Sequence, residues 1–171
     1  MRKIVAGFAS SLDGYIEGAD GEFDWILIDE EIDFAEQMQR FDAFLYGRKS
    51  YEVALKMGTK ESPGISHYVC SNTLTSVHQH FTLITGSVPE QILELKRQPG
   101  KDMAVFGGAS LLASLLEMRV VDEIIVSVIP VLLGKGKPMV GVLQEKVWLH
   151  LQKSKMYKNG TVQLFYTVQY R

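Results

Sequence analysis

The sequence predicts an α/β fold: a mixed central sheet of about eight strands, helices on both faces and a C-terminal antiparallel hairpin. Three observations predict it. Runs rich in β-branched and aromatic residues recur along the 171 residues, helical patterns separate the earlier runs, and an Asn159-Gly160 turn joins the last two.

Lys3 to Ala9 reads as the first strand. A loop bearing Gly14, Gly18 and Gly21 follows, then a helix from Glu30 to Arg40 with Ile32, Phe34, Ala35 and Met38 on its apolar side. Ala43 to Gly47 is the next strand and Ser50 to Met57 the next helix. Strands at His67 to Cys70 and Phe81 to Thr85 precede a helix from Pro89 to Arg97. Pro89 suits its first turn, and Gly100 stops it. Met103 to Phe106 leads through Gly107-Gly108 into a helix from Ser110 to Met118. Strands at Glu123 to Leu132, Trp148 to Tyr157 and Thr161 to Tyr170 close the chain. No linker, repeat or charge run divides it, so residues 1–171 are expected to form a single domain.

A formal net charge of −2 provides no basic surface for nucleic acid or an anionic membrane. The apolar run from Ile124 to Leu133 contains Pro130 and is too short to span a bilayer. A lone Cys70 forms no intramolecular bridge, and four scattered histidines leave too few ligands for a structural zinc site. These readings point to a soluble, cytoplasmic protein without a structural metal.

Candidate chemistry sits where strands give way to glycine and a helix start. Gly107, Gly108, Ala109, Ser110 and Leu111 form the first such place, where close backbone approach and unpaired N–H groups suit an anion. A tight turn needing positive φ explains the same letters. Gly47, Arg48, Lys49 and Ser50 form the second, with two cations to pair with phosphate and a serine to cap the helix or bind the same anion. A solvated basic turn is the plainer reading. Ser71 and Asn72 form the third, suited to ribose, phosphate or their own turn.

The chain resembles the dihydrofolate-reductase-like superfamily, and most closely the reductase domain of bacterial riboflavin biosynthesis with its stand-alone relatives. The residues that carry the resemblance are Ser11-Leu12-Asp13-Gly14-Tyr15-Ile16, Gly47 to Glu52, Ser71-Asn72, Val105 to Leu111 and Asp122 to Gly136. It implies a dihydrofolate-reductase-like three-layer fold and NADPH as cofactor. Gly47 to Ser50 would then hold the pyrophosphate, Arg48 the 2′-phosphate, Ser71 and Asn72 the adenine ribose end, and Gly107 to Leu111 the diphosphate. It also implies a strained cis bond at Gly107-Gly108.

Its implied reaction is hydride transfer to a small heterocyclic or carbonyl substrate. The nearest named case is reduction of 5-amino-6-(5-phosphoribosylamino)uracil. Asp13, Glu30, Asp33 and Ser127 are the candidate catalytic residues, Ser127 as the hydroxyl that supports a carboxylate. Ile65 stands about where folate reductases keep a tail-binding arginine, which argues against dihydrofolate. A homodimer is expected from the Val/Ile-rich strand at Glu123. A non-catalytic nucleotide-binding dimer with the same fold is the alternative.

Overall fold

Continuously apolar runs belong inside a sheet, because strands covered on both faces need no polar alternation. The structure, a computed structural model, describes residues 1–59 and 63–171. Its first half comprises β1 (Ile4–Ser11), β2 (Tyr15–Glu17), α1 (Phe34–Met38), β3 (Phe41–Gly47), α2 (Arg48–Lys56), β4 (Ser66–Cys70) and β5 (Thr82–Ile84). Its second half comprises α3 (Val88–Arg97), β6 (Asp102–Val105), α4 (Ala109–Glu117), β7 (Glu123–Ile129), β8 (Lys137–Pro138), β9 (Trp148–Met156) and β10 (Val162–Gln169).

Eight strands form one sheet in the order β5-β4-β3-β6-β1-β7-β10-β9. Neighbours from β5 through β7 are parallel, whereas β10 runs antiparallel to both β7 and β9. On one face α3 and α4 bury Ile92, Leu95, Leu112 and Leu115 against Ile4, Leu45 and Met103. On the other, α2 buries Tyr51 and Ala54 against Val5, Phe44 and Val69. Each fully buried aliphatic side chain contributes roughly 1.5–3 kcal/mol, so α4, with six buried residues, is the most firmly anchored helix.

Three elements depart from the sequence expectation. The helix expected from Glu30 to Arg40 contracts to Phe34–Met38, because Asp29 turns back into the fold and Asp33 becomes the cap, its carboxylate accepting from the Glu36 amide at 2.8 Å. The strand expected to reach Leu132 stops at Ile129, where Pro130 removes a donor and the chain turns. A second sheet, β2 with β8, was not anticipated; two and three residues are too few for a period-2 pattern to register. Glu17 and Lys137 close it with an ion pair of 2.7 Å, so Lys137 is already paired with a carboxylate.

Candidate functional site

Parallel strands all present their carboxyl ends at one rim, which is where open α/β sheets bind ligands. Here β3 ends at Gly47, β4 at Cys70 and β6 just before Phe106-Gly107. Because β3 lies between β4 and β6, their three loops are neighbours. A cleft of about 330 Å³ opens among them, lined by Gly47, Arg48, Ser71, Asn72, Ser110 and Leu111. Six of the eleven expected cofactor residues thus share one wall-to-wall space. Lys49, Ser50, Gly107, Gly108 and Ala109 lie in the same loops and first turns rather than on that lining.

The loops touch. A Cβ on Gly107 would sit 3.0 Å from Ser50 Oγ, and one on Gly47 would sit 3.4 Å from Leu111 Cβ. Bare backbone at these points is what lets the two helix starts come together. Gly107 and Gly108 reach this geometry through left-handed φ values of 72° and 88°, and no peptide among the described residues is cis. The expected cis bond is therefore corrected: two successive glycines reverse the chain by positive φ alone.

Both helices begin one or two residues earlier than their sequences suggest. Gly47 caps α2 and Gly108 caps α4, neither with a side-chain hydrogen bond. Ser50 is accordingly a first-turn residue and not the cap. Neither first turn carries an acid, and α2 places Arg48 and Lys49 at its start, against the helix dipole. Two N-termini without a side-chain cap, together with two cations, favour an anion between them. Among the described residues, Arg48 has only a loose ion-pair partner in Glu52, at 3.8 Å.

Ser71 Oγ accepts from the amides of Thr73 and Leu74, each at 3.2 Å, so it builds its own turn as well as lining the cleft. Asn72 Oδ1 accepts from the Gly86 amide at 3.0 Å, tying the loop after β4 to the one after β5. Gly86, Val88 and Pro89 line the cleft too and were missed in the sequence. Their signal was present: Gly86 ahead of Pro89 is another strand-glycine-helix junction. Cys70 also lines it; burial pushes its thiol up to about 11, leaving it neutral.

The candidate catalytic acids take up distinct positions. Asp13 is exposed and clasps two loops: its carboxylate accepts from the Ser11 hydroxyl at 2.7 Å and from the amides of Leu133 and Gly134 at 3.1 and 2.7 Å. The Ser11 hydroxyl first, then the Gly134 amide, hold its carboxyl below the usual range. Asp33 caps α1, and Glu30 is exposed. Asp29, which the sequence reading passed over, is the buried acid of this segment at 7% exposure. It accepts from the Glu31 and Asn159 amides, both at 3.0 Å, which lower its pKa in that order. Lys158 adds an ion pair to Glu31 at 2.6 Å, so the Asn-Gly turn holds down the early loop.

Ser127 is half-buried on β7 and accepts from Gln163 Nε2 at 3.2 Å; Gln163 Oε1 in turn accepts from the Tyr157 hydroxyl at 3.1 Å. The expected carboxylate partner for Ser127 is replaced by this amide. Phe106, the last residue before the paired glycines, is 46% exposed and packs on Tyr46 with ring centroids 5.1 Å apart.

The chain and its fold have counterparts among known proteins. The uncharacterized protein YyaP of Bacillus subtilis (strain 168) is 32% identical over 97% of this chain and 95% of its own length. A protein from Shewanella sp. PV-4, provisionally assigned to riboflavin biosynthesis, superposes with a TM-score of 0.85 at 26% identity, covering 98% of this chain and 99% of that one. Dihydrofolate reductase from Enterococcus faecalis, solved with NADP(H), superposes at a TM-score of 0.68 and 16% identity over 98% of this chain and 96% of that one. The fold is therefore dihydrofolate-reductase-like. The model of the RibD C-terminal domain matches residues 2–163, and the chain belongs to that family.

Proposed function

We propose that this protein is an NADPH-dependent reductase acting on a small heterocyclic or carbonyl substrate. The observation that carries the reading is the cleft at which two helix starts without side-chain caps, Arg48 and the Ser71-Asn72 turn converge. The donor set fits a dinucleotide. Backbone amides at the starts of α2 and α4 suit a diphosphate, the Arg48 guanidinium suits the additional 2′-phosphate, and Ser71 with Asn72 suits the adenosine end. When bound, a reduced nicotinamide supplies a hydride.

The chain's own residues do the rest: they hold the acceptor, exclude water and stabilise the heteroatom that gains negative charge. Asp13 positions the loop at 131–134, while Asp29 and Asp33 shape the early loop. Glu30, exposed and outside both clasps, is the carboxylate we assign to proton relay. Membership in the RibD C-terminal domain family supports reduction of 5-amino-6-(5-phosphoribosylamino)uracil as the nearest named reaction. No helix of the described residues is long and apolar enough to cross a membrane, in keeping with the proposal of one cytoplasmic reductase domain that works as a homodimer.

Fluorescence titration with NADPH and NADH tests the reading. Saturable binding with preference for NADPH, followed by its oxidation with a pyrimidine or carbonyl acceptor, is expected. Absence of NADPH binding overturns the proposal; binding without oxidation across such acceptors favours the non-catalytic module.

A further inference from the structure

The strand order gives the sheet two rims. The cofactor cleft lies at the carboxyl ends of the parallel strands, and the amino ends of β1, β6 and β7 make the opposite rim. Because β10 runs antiparallel to β7, the end of β10 and the start of β9 join that second rim: Thr167 pairs with Glu123, and Gln169 with Trp148. α4 starts at the cofactor cleft and ends at this rim. A cavity of about 400 Å³ opens where these ends meet, bordered by Leu116, Arg119, Lys146, Trp148, Tyr170 and Arg171. Its volume is in the range of small-molecule sites and is more than a single ion fills.

The charges around it are unlike those on the rest of the rim. Arg2 pairs with Asp42, Arg40 with Asp102 at 2.8 Å and Lys96 with Asp122 at 2.6 Å. Among the described residues, Arg119, Lys146 and Arg171 have no aspartate or glutamate within ion-pair distance. They lie over aromatic rings instead. The Arg171 guanidinium is 4.7 Å and the Lys146 ammonium 6.0 Å from the centre of the Trp148 ring, and the Arg119 guanidinium is 5.4 Å from that of Tyr170. Such contacts fix the position of a cation without neutralising it. Arg119 Nη2 also donates to the main-chain oxygen of Arg171 at 2.7 Å, which holds the two arginines together. Two acids border the same cavity: Glu117 is turned to the neighbouring loop, accepting from the Gln144 amide at 2.7 Å, and Glu145 is exposed.

The backbone supplies an independent observation. Arg119 follows the C-cap Met118, its amide donating to Leu116 O at 2.9 Å while the Val120 amide donates to Leu115 O at 3.2 Å. That pair of bonds closes a helix through one left-handed residue, for which glycine is the ordinary choice. The φ of Arg119 is 57°, the one positive value at a non-glycine among the described residues. A long cationic side chain held in that conformation beside a cavity has a task beyond ending the helix.

We propose that this cavity is a second ligand site, taking a phosphomonoester carried on an aromatic ring. The Arg119 and Arg171 guanidinium groups and the Lys146 ammonium meet the phosphate oxygens. The ring packs against Val147 and the exposed part of Trp148, which is 47% exposed. The site lies across the sheet from the cofactor cleft, shares no residue with its lining and does not depend on the reductase reading.

The test follows the Trp148 indole N–H and the Arg119 Nε–H by NMR on the full chain, with 1-naphthyl phosphate, inorganic phosphate and 1-naphthol as probes. 1-Naphthyl phosphate is expected to shift both signals and to bind at least about tenfold tighter than either of the other two, the worth of one charge-assisted hydrogen bond or of one stacked ring. Arg119→Gly relieves the left-handed backbone, so it should keep or raise Tm and keep the NADPH Kd while weakening 1-naphthyl phosphate about tenfold or more. Lys146→Gln, an exposed change, should weaken it in the same direction. Arg48→Ala, on the other rim, should leave its Kd unchanged. The proposal is overturned if both signals stay unmoved up to the solubility of the probe, if the shifts gather on Gly47, Arg48 and Gly107 to Leu111 instead, if inorganic phosphate or 1-naphthol binds as tightly, or if Arg119→Gly and Lys146→Gln bind the probe like the wild type. Failure of NADPH to bind is a separate result that removes the reductase reading and leaves this site standing.

Discussion

At the scale of single residues, the cleft separates side chains that bind from those that only build. Arg48 is half-exposed, loosely held by Glu52, and set in a helix turn where a cation gains nothing from the dipole. A guanidinium placed that way is available to a phosphate monoester. Arg48→Ala is expected to weaken NADPH about tenfold to a hundredfold, the worth of a charge-assisted hydrogen bond, and to leave NADH nearly unaffected. Equal losses for both cofactors, read by fluorescence titration, would show that Arg48 does not meet the 2′-phosphate. Much of this was legible in the sequence, because glycine, cations and a helix start are adjacent in the chain. The place of Arg119 was not legible: its meaning depends on Lys146, Trp148 and Arg171, far away in sequence, bordering the same cavity.

At the scale of elements, the early loop is held by carboxylates in place of a packed core. α1 buries none of its five residues, so Asp29 and its two backbone donors carry the anchoring. A carboxyl whose folded pKa is lowered stabilises the fold above its unfolded value, about 3.9, and loses that contribution as pH falls toward the folded value. Asp29→Asn should therefore lower Tm at neutral pH, by a margin that shrinks as pH falls below about 3.9. A constant difference across that range, measured by thermal melts, would mean that charge plays no part in the clasp. The same element explains a limit of sequence reading. Glu30 to Arg40 carries a helical pattern, but the turn at Asp29 is dictated by Asn159, a partner 130 residues away.

At the scale of the whole molecule, the sheet is finished on one side only. β9 is exposed along its entire length and forms the edge. Beyond the helices, Val128, Val162 and Met156 lie opposite one another on successive strands, as do Ile124, Tyr166 and Leu151. Met156 is 80% exposed and Leu151 48%, which leaves an apolar sheet face with little cover. A second copy packed on that face gives the homodimer we propose. Wild-type protein should sediment as a dimer at micromolar concentration, and Leu151→Lys should shift it to monomer; a monomeric wild type refutes the assignment.

The sequence by itself determined the strand succession, the antiparallel finish and the three glycine-bearing junctions, because each is written in contiguous residues whose propensities agree. Only the tertiary structure decided that those junctions share one cleft, that Asp13 and Asp29 are clasps, and that Arg119, Lys146 and Arg171 border one cavity. Those facts follow from strand order and from hydrogen bonds spanning more than a hundred residues, which no local pattern encodes.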